Sequence, residues 1–309
     1  KKDIHLLSLK STISNLKNIS IFMQLINLLP KVLLKHKFIQ FLLFLKLQKK
    51  HVELSYNNGS KAIIDLSDPE PRNVYIKRDF DAHFFSVVSC FLPKRGTFFD
   101  LGANYGLCSF GLLPKYSLVD FHLFEANSFL IPILSKSIKL HSKNSFHLNH
   151  ACISNQNGTT KFHLEEKQSG QSHVATKHED GLNIKNLVLD DYCTSKNIEK
   201  IDFAKIDLEG HETPALKGWK NYLKEKKVRA IYIEIMPENQ NRYGLNTNEP
   251  LKYLESFGYD LFLCKQHDFL NFRSNIKLNK FINSSLKISN FSAVNYPNDY
   301  ATDILAIAS

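Results

Sequence analysis

Four residues around the end of an apolar run at 97–101 have the types and the spacing of a nucleotide-binding turn. They form the pattern D-x-G-x-N-x-G, and they are Asp100, Gly102, Asn104 and Gly106. Because glycine lacks Cβ, the backbone at Gly102 and Gly106 can bend sharply and approach a ligand closely. An acid at Asp100 suits a cationic amino group better than a pyrophosphate. The pattern predicts a ligand with a positive end, and a tight turn without a ligand is the alternative.

A second acid, Glu125, ends the next apolar run, 19 residues after Gly106. An acid about 20 residues beyond such a turn binds ribose hydroxyls in dinucleotide-binding folds. The alternative is a simple helix start, since Asn127 and Ser128 follow and either could cap a helix. Asp100 and Glu125 would together suit a nucleoside that bears an amine.

A third cluster follows the run Ile201–Ile206 and contains Asp207, Glu209 and His211. These three residues alternate, so they share one face if the strand continues through them. Ligands of open α/β sheets bind beyond the carboxyl ends of the strands, which is where this cluster would lie. Charge complementarity with the start of the next helix, at Glu212, is the alternative explanation for the acids.

Apolar runs and amphipathic runs alternate from residue 97 onward, which predicts a parallel sheet with helices on both faces. The predicted strands are Thr97–Leu101, Val119–Glu125, Ser145–Ile153, Phe203–Leu208 and Arg229–Ile235, and the predicted helices are 106–114, 128–141, 212–224 and 248–256. Tyr259–Cys264 and Asp303–Ala308 are predicted to close the sheet as an antiparallel pair. An insertion at about 154–200 has its own strands, Thr160–Leu164 and Asn186–Leu189, and a hairpin is predicted around Asn57-Asn58-Gly59.

The positive charge of the chain is concentrated in its first 50 residues. The whole chain carries +10, while residues 1–50 contain ten lysines and one acid. We expect two basic amphipathic helices there, meeting near Pro30, that either pack on the domain or contact a membrane surface. Neither uncharged stretch is long enough to cross a bilayer, and no signal-peptide cleavage site follows. The first residue is Lys1 rather than Met, from which we expect a fragment of a longer protein.

The cysteines and histidines argue against disulfide and metal chemistry at the level of sequence. The five cysteines are scattered and include no C-x-x-C, and the 13 histidines show no metal-binding spacing. We therefore predict a cytoplasmic protein with no metal, although Asp207, Glu209 and Glu234 could together hold a divalent cation. The sequence also lacks the G-x-S-x-G elbow of serine hydrolases.

Several segments together resemble the FkbM family of S-adenosylmethionine-dependent methyltransferases. They are D-L-G-A-N-Y-G-L-C-S (100–109), F-E-A-N (124–127), L-D-D-Y-C (189–193), I-D-F-A-K-I-D-L-E-G-H-E (201–212) with L-K-G (216–218), and I-E-I-M-P-E-N (233–239). Their order and spacing match the family over roughly 95–265. The resemblance implies a class I methyltransferase fold with a seven-stranded, mostly parallel sheet and helices on both faces. It also implies that the first turn holds the methionine part of S-adenosylmethionine, and that the acid after the second strand holds the ribose.

The resemblance implies an O-methyltransferase for a sugar, glycan or natural-product hydroxyl. Such an enzyme needs a general base, for which His211 is our first choice because imidazole titrates near neutrality; Glu209 is the second and Asp207 the third. Asp100, Gly102, Asn104, Gly106 and Glu125 are the predicted cofactor-binding residues.

The sequence divides into a basic extension at 1–50, a hairpin and linker at 51–80, and the methyltransferase domain at 81–309. Two alternatives remain open: an inactive nucleoside-binding domain, and a nicotinamide-dependent dehydrogenase, which should show G-x-G-x-x-G. We expect no nucleic-acid partner, because the basic charge lies away from the predicted site. A peripheral contact with the inner face of a membrane is expected only through residues 1–50.

Overall fold

The computed structural model describes residues 32–57, 59–165, 167–263, 286–287 and 302–309. The helices in this part of the chain are α1 (Val32–Phe44), α2 (Pro69–Lys77), α3 (Ala82–Phe91), α4 (Leu107–Leu112), α5 (Ile131–Lys139), α6 (Leu189–Ser195), α7 (Glu212–Lys217), α8 (Lys220–Lys224), α9 (Pro237–Arg242) and α10 (Glu249–Ser256). The strands are β1 (His51–Tyr56), β2 (Ser60–Asp65), β3 (Thr97–Leu101), β4 (Asp120–Glu125), β5 (Ser145–His150), β6 (Cys152–Ile153), β7 (Thr159–His163), β8 (His173–Val174), β9 (Leu182–Leu187), β10 (Phe203–Ile206), β11 (Ala230–Ile235), β12 (Tyr259–Leu263), β13 (Leu286–Lys287) and β14 (Thr302–Ala308).

The central sheet has the strand order β13-β12-β14-β11-β10-β3-β4-β5. The neighbours from β11 to β5 pair in parallel, whereas β14 runs antiparallel to both β11 and β12. Seven of these strands confirm the predicted class I methyltransferase sheet, and the two-residue β13 adds an eighth at the edge. The predicted antiparallel closing pair is also confirmed, except that Cys264 lies outside the described residues.

Aromatic side chains fill both faces of the sheet, because consecutive residues of a strand point to opposite sides. Phe98 faces α3, where Phe84 lies with its ring centroid 6.4 Å away. Phe99 faces the other layer and stacks on Trp219 at 5.5 Å. Parallel strands are buried on both faces, so β3 shows a continuous apolar run rather than an alternating one.

The predicted hairpin is confirmed as the antiparallel pair of β1 and β2, but the predicted linker after it contains a helix. The helix α2 begins after Asp68, whose side chain accepts a hydrogen bond from the Glu70 amide at 3.2 Å. Pro69 follows at the first helical position, where its missing N–H costs nothing. The hairpin is bound to the main domain, since the Tyr56 hydroxyl donates to the carbonyl oxygen of Leu107 at 2.6 Å.

Two predicted elements were too long. The strand predicted at Ser145–Ile153 is divided, because the amide of Ala151 turns to the Glu125 carbonyl oxygen and β6 then pairs with β9 in another sheet. The helix predicted at 212–224 is divided at Gly218, where a Cβ would collide with the backbone of Ser154. The other predicted strands and helices are present with ends shifted by a few residues.

The insertion at 154–200 forms its own sheet with the order β6-β9-β7-β8. The strand predicted at Asn186–Leu189 is β9, which ends at Leu187, and Leu189 instead begins the helix α6. The insertion lies beside the carboxyl ends of β3 and β4, so its loops can cover the candidate site.

One of the two helices predicted within residues 1–50 is present as α1. The other prediction, together with the bend at Pro30, lies outside the described residues. Ile39 and Leu42 of α1 are buried, whereas Leu33 is 63% and Phe44 is 80% exposed. None of the helices in the described ranges combines the length and hydropathy needed to cross a bilayer.

Candidate active site

A cavity of about 490 Å³ lies at the carboxyl ends of β3, β4, β10 and β11. A smaller cavity of about 210 Å³ adjoins it, and four residues line both: Glu70, Asn104, Asp207 and Glu234. This position agrees with the rule that open α/β sheets bind ligands beyond the carboxyl ends of their strands. The larger volume lies in the range of small-molecule pockets.

The turn after β3 approaches its neighbours closely, and this closeness requires glycine. The amides of Gly102 and Ala103 both donate to the Phe124 carbonyl oxygen at 3.0 Å, which ties the turn to the end of β4. Gly102 has a φ of +77°, and a Cβ there would collide with the carbonyl oxygen of Asp207. Gly106 also has a positive φ, of +71°, where the chain enters α4.

Glu125 lies at the end of β4 and lines the larger cavity. One carboxylate oxygen accepts a hydrogen bond from the Asn104 amide at 2.7 Å, and the other accepts one from the Asn127 amide at 2.7 Å. Burial raises the pKa of Glu125 to about 6, against the effect of these two amides. A carboxylate has about four acceptor positions, so two remain for the hydroxyls of a ligand.

Asp100 is fully buried and does not line either cavity. One of its oxygens accepts a hydrogen bond from the Ser109 hydroxyl at 2.6 Å, and the other lies 3.9 Å from the Lys205 ammonium. Burial raises the pKa of Asp100, and Lys205 opposes that rise. The predicted contact of Asp100 with a ligand amine stays a prediction, and in this structure its charge faces Lys205.

Lys205 is a site residue that was not predicted from the sequence. Its ammonium donates to the Asp207 carboxylate at 3.0 Å and to the Gly102 carbonyl oxygen at 3.2 Å. Burial opposes its charge, but the surrounding acids, with Asp207 first among them, raise the pKa of Lys205 well above its usual value. The lysine thus connects β10 to the glycine turn of β3.

Three carboxylates come together at the edge of the larger cavity, namely Asp207, Glu209 and Glu234. One oxygen from each lies within 4.8 Å of the others. Repulsion by Asp207 and burial raise the pKa of Glu234, and burial followed by repulsion from Asp207 raises that of Glu209. At neutral pH Glu209 and Glu234 therefore retain protons that separate carboxyl groups would lose.

The predicted face of Asp207, Glu209 and His211 is formed, but by a different geometry. The strand β10 ends at Ile206, and Glu209 has a left-handed φ of +53°. All three residues nevertheless line the larger cavity. The Asn239 side-chain amide fixes Glu209 by donating to its carboxylate at 2.7 Å. A loop, rather than a continuing strand, therefore brings the three together.

His211 presents an unpaired nitrogen among the described residues. Its Nε2 atom is buried and has no hydrogen-bond partner, and its side chain lines the larger cavity. Burial lowers the pKa of His211 to about 4, so the imidazole is neutral at physiological pH. The neighbouring Glu212 has a structural role, because its carboxylate accepts hydrogen bonds from the amides of Leu208 and Gly210.

Glu70 and the insertion also contribute to the site, and no motif in the sequence identifies the residues that do so. Glu70 lies on α2, before the region that resembles the FkbM family, and it lines both cavities. Burial and repulsion by Asp207 raise its pKa to about 7. From the insertion, the Ser169 hydroxyl donates to the Asn104 side-chain oxygen at 3.0 Å. No local sequence signal marks these residues, since their role depends on chain packing.

The sheet with its one antiparallel inner strand, the glycine turn after β3 and the acid at the end of β4 define a class I methyltransferase fold. A model of the FkbM methyltransferase domain matches residues 100–261, just over half of the chain. The chain belongs to the FkbM methyltransferase family.

Solved structures of methyltransferases are similar to this chain at low sequence identity. A precorrin-6y C5,15-methyltransferase from Geobacter metallireducens GS-15 is 12% identical over 74% of this chain and 87% of that chain, with a TM-score of 0.37. An O-methyltransferase from Bacillus cereus, in complex with SAH, is 13% identical over 91% of this chain and 93% of that chain, also with a TM-score of 0.37. The bifunctional kinase-methyltransferase WbdD is 9% identical over 74% of this chain but 37% of its own length, with a TM-score of 0.39. No curated protein sequence matches the chain significantly.

Proposed function

We propose that this protein transfers a methyl group from S-adenosylmethionine to a hydroxyl oxygen of a neutral, polyhydroxylated acceptor such as a sugar, a glycan or a natural-product scaffold. The observation that carries the proposal is the meeting of two features in one cavity. Glu125 lines it with acceptor positions to spare, and the same cavity is lined by His211, whose Nε2 atom is unpaired, and by a trio of carboxylates.

The residues of the larger cavity fit the donor molecule. S-adenosylmethionine supplies a methyl group on a cationic sulfur, and it also carries an ammonium group. Glu125 would accept hydrogen bonds from the ribose hydroxyls. Phe124, Leu130 and Ile153 give the same cavity an apolar wall for the adenine ring. The many carboxylates of the site favour a ligand of net positive charge, because a cation relieves their mutual repulsion.

The place of His211 in the cavity lining and its neutral ring support it as the general base. Its pKa of about 4 means that the imidazole is unprotonated at neutral pH and can take a proton from the acceptor hydroxyl, although burial makes it a weaker base than an exposed imidazole. Nε2 has no partner that would have to be displaced before it binds an acceptor hydroxyl. Glu209 is the second candidate; its raised pKa makes it a stronger base once ionised, but it holds its own proton more readily.

The acidic lining also supports a choice among acceptors. Asp207, Glu209 and Glu234 offer hydrogen-bond acceptors to hydroxyl groups, and a bound phosphate or carboxylate would add to the negative charge that already raises the pKa of Glu209 and Glu234. Arg242 is a cation in the lining, but its guanidinium already donates to the Glu209 carbonyl oxygen at 3.1 Å. We therefore propose neutral hydroxylated acceptors in preference to acidic ones.

The test is a transfer assay with a donor that carries a deuterated methyl group and a panel of neutral and acidic glycans, analysed by mass spectrometry. We expect the label on an oxygen of a neutral acceptor. Loss of a general base costs about 10²–10⁴-fold in rate, so His211→Ala should lower kcat by that factor while donor affinity stays within about twofold. His178→Ala, which replaces an exposed histidine of the insertion, is the control. A label on nitrogen or carbon would contradict the proposal, and an unchanged kcat in His211→Ala would move the base to Glu209.

A further inference from the structure

We propose that Asp120, His122 and His147 form a binding site for a divalent transition-metal ion, with Zn²⁺ as the ion of best fit, at the amino-terminal ends of β4 and β5. One ligand atom from each of the three side chains lies within 4.8 Å of the other two. This site is separate from the candidate active site. Asp120 begins β4 and Glu125 ends it, which places the two about 16 Å apart along the strand at 3.3 Å per residue.

The parallel pairing of β4 and β5 brings the three residues together. His122 and His147 are direct partners in the register, and their imidazole rings stack with centroids 4.4 Å apart. Both rings direct Nε2 at the same carboxylate: His122 lies 3.1 Å from one oxygen of Asp120, and His147 lies 3.0 Å from the other. In a tetrahedral zinc site with bonds of about 2.0–2.1 Å, ligand atoms are about 3.3 Å apart. The two nitrogen–oxygen distances are already close to that value.

The donor set is one that transition metals prefer. Two imidazoles with one carboxylate, and open positions for water, form a recognised ligand set for divalent first-row metals. Asp120 and His147 are about 40% exposed, so an ion and its remaining water ligands can reach the site from solvent.

Neighbouring side chains hold the ligands as the outer shell of a metal site does. The Nδ1 atom of His122 lies 2.7 Å from the Tyr192 hydroxyl, whose other partner is the side-chain amide of Asn149 at 3.3 Å. The Ser145 hydroxyl donates to Asp120 at 2.5 Å. Such outer partners fix the orientation of a metal-binding imidazole. His122 itself is 2% exposed, so this ligand lies on the buried side of the site.

The ion would connect β5, an edge strand of the sheet, to β4. In the part of the chain that the structure describes, β5 has a partner in the central sheet on one side only, namely β4. A metal that bridges residues of both strands would resist separation of this edge.

The test is zinc binding by the full chain. Protein is incubated with ZnCl₂ at neutral pH and dialysed, its zinc content is measured, and its affinity is determined by competition with a chromophoric chelator. We expect the unmodified protein to bind one equivalent of zinc at this site. His147→Ala and Asp120→Asn should each lower the affinity of that equivalent by about tenfold or more, and Tyr192→Phe by about tenfold, as outer-shell changes do. His178→Ala should bind zinc like the unmodified protein.

A second measurement separates this site from other metal-binding groups of the chain. Cobalt(II) substituted for zinc should give a visible absorption spectrum typical of nitrogen and oxygen ligands, and His147→Ala should abolish it. The proposal is overturned if the unmodified protein retains no zinc. It is equally overturned if His147→Ala and Asp120→Asn bind zinc as tightly as the His178→Ala control, since the ion would then lie elsewhere.

Discussion

Replacing Lys205 with methionine would show how strongly the acidic site depends on this one buried cation. The ammonium contacts Asp207 at 3.0 Å and lies 3.9 Å from Asp100. It also lowers the pKa of further carboxyl groups around the two cavities, namely Glu70, Asp81, Glu125 and Asp303. Methionine has a similar length and no charge, so the substitution removes the cation without leaving a large cavity.

The expected loss of folding stability in Lys205→Met follows from the burial of the groups that would be left unpaired. Removing one partner of a buried ion pair costs about 3–5 kcal/mol. Because the Asp207 side chain is 32% exposed and therefore partly solvated, we expect the lower part of that range, about 3 kcal/mol at pH 8. The loss should be smaller at pH 5. A carboxyl group with a raised folded-state pKa stabilises the fold while protonated, and that stabilisation is lost as pH rises through the raised value.

Two carboxyl groups define the pH range over which the stability loss of Lys205→Met should grow. The pKa values of Glu125 and Asp303 are both raised to about 6, chiefly by burial, even with Lys205 present. Without the lysine both values rise further, so at pH 5 these groups carry protons and need no cation. Near pH 8 Glu125 ionises close to Asp100, and Asp303 ionises close to Asp81 and Asp207, so the Lys205→Met variant should be least stable there.

The assay is urea-induced unfolding at pH 5 and pH 8, monitored by the fluorescence of Trp219, which is fully buried and is the single tryptophan of the chain. Lys61→Met is the matched control, because Lys61 forms a surface pair with Glu53 at 2.8 Å and should lose less than about 1 kcal/mol at either pH. An equal loss at pH 5 and pH 8 in Lys205→Met would refute the electrostatic argument, since lost packing alone does not depend on pH.

Three further outcomes follow from the structure. Gly102→Ala places a Cβ at a φ of +77° against the Asp207 carbonyl oxygen, so we expect a loss of about 1–2 kcal/mol or more in thermal unfolding; an unchanged melting temperature would contradict that collision. Glu125→Gln should weaken S-adenosylmethionine binding about tenfold or more by calorimetry, and equal affinity would exclude its proposed ribose contact. Phe41 and Phe44 are 51% and 80% exposed on the basic helix α1, and we expect the protein to sediment with anionic liposomes less as salt is added. Replacing both residues with serine should reduce that sedimentation. A double serine variant that sediments like the unmodified protein would contradict the proposed membrane contact.

The sequence by itself determined the fold class and most of the glycine turn after β3. Continuous apolar runs predict buried parallel strands, and the strand ends fall within a few residues of those observed. The glycine pattern and Glu125 are local signals as well, because a sharp turn requires glycines close together in the chain and the acid follows them at a fixed spacing. Asp207, Glu209 and His211 were predicted to meet, although the assumption of a continuous strand was wrong, since β10 ends at Ile206.

Tertiary structure alone decided which distant side chains share an environment. Glu70 reaches both cavities because α2 packs near the glycine turn, and Lys205 faces Asp100 because β10 pairs with β3. The cluster of Asp120, His122 and His147 exists because β4 and β5 are in register, 25 residues apart in the chain at the paired histidines. Such groups carry no local signature. Their pKa values and partners depend on burial and charge, which the packed chain sets and the order of residues along it does not reveal.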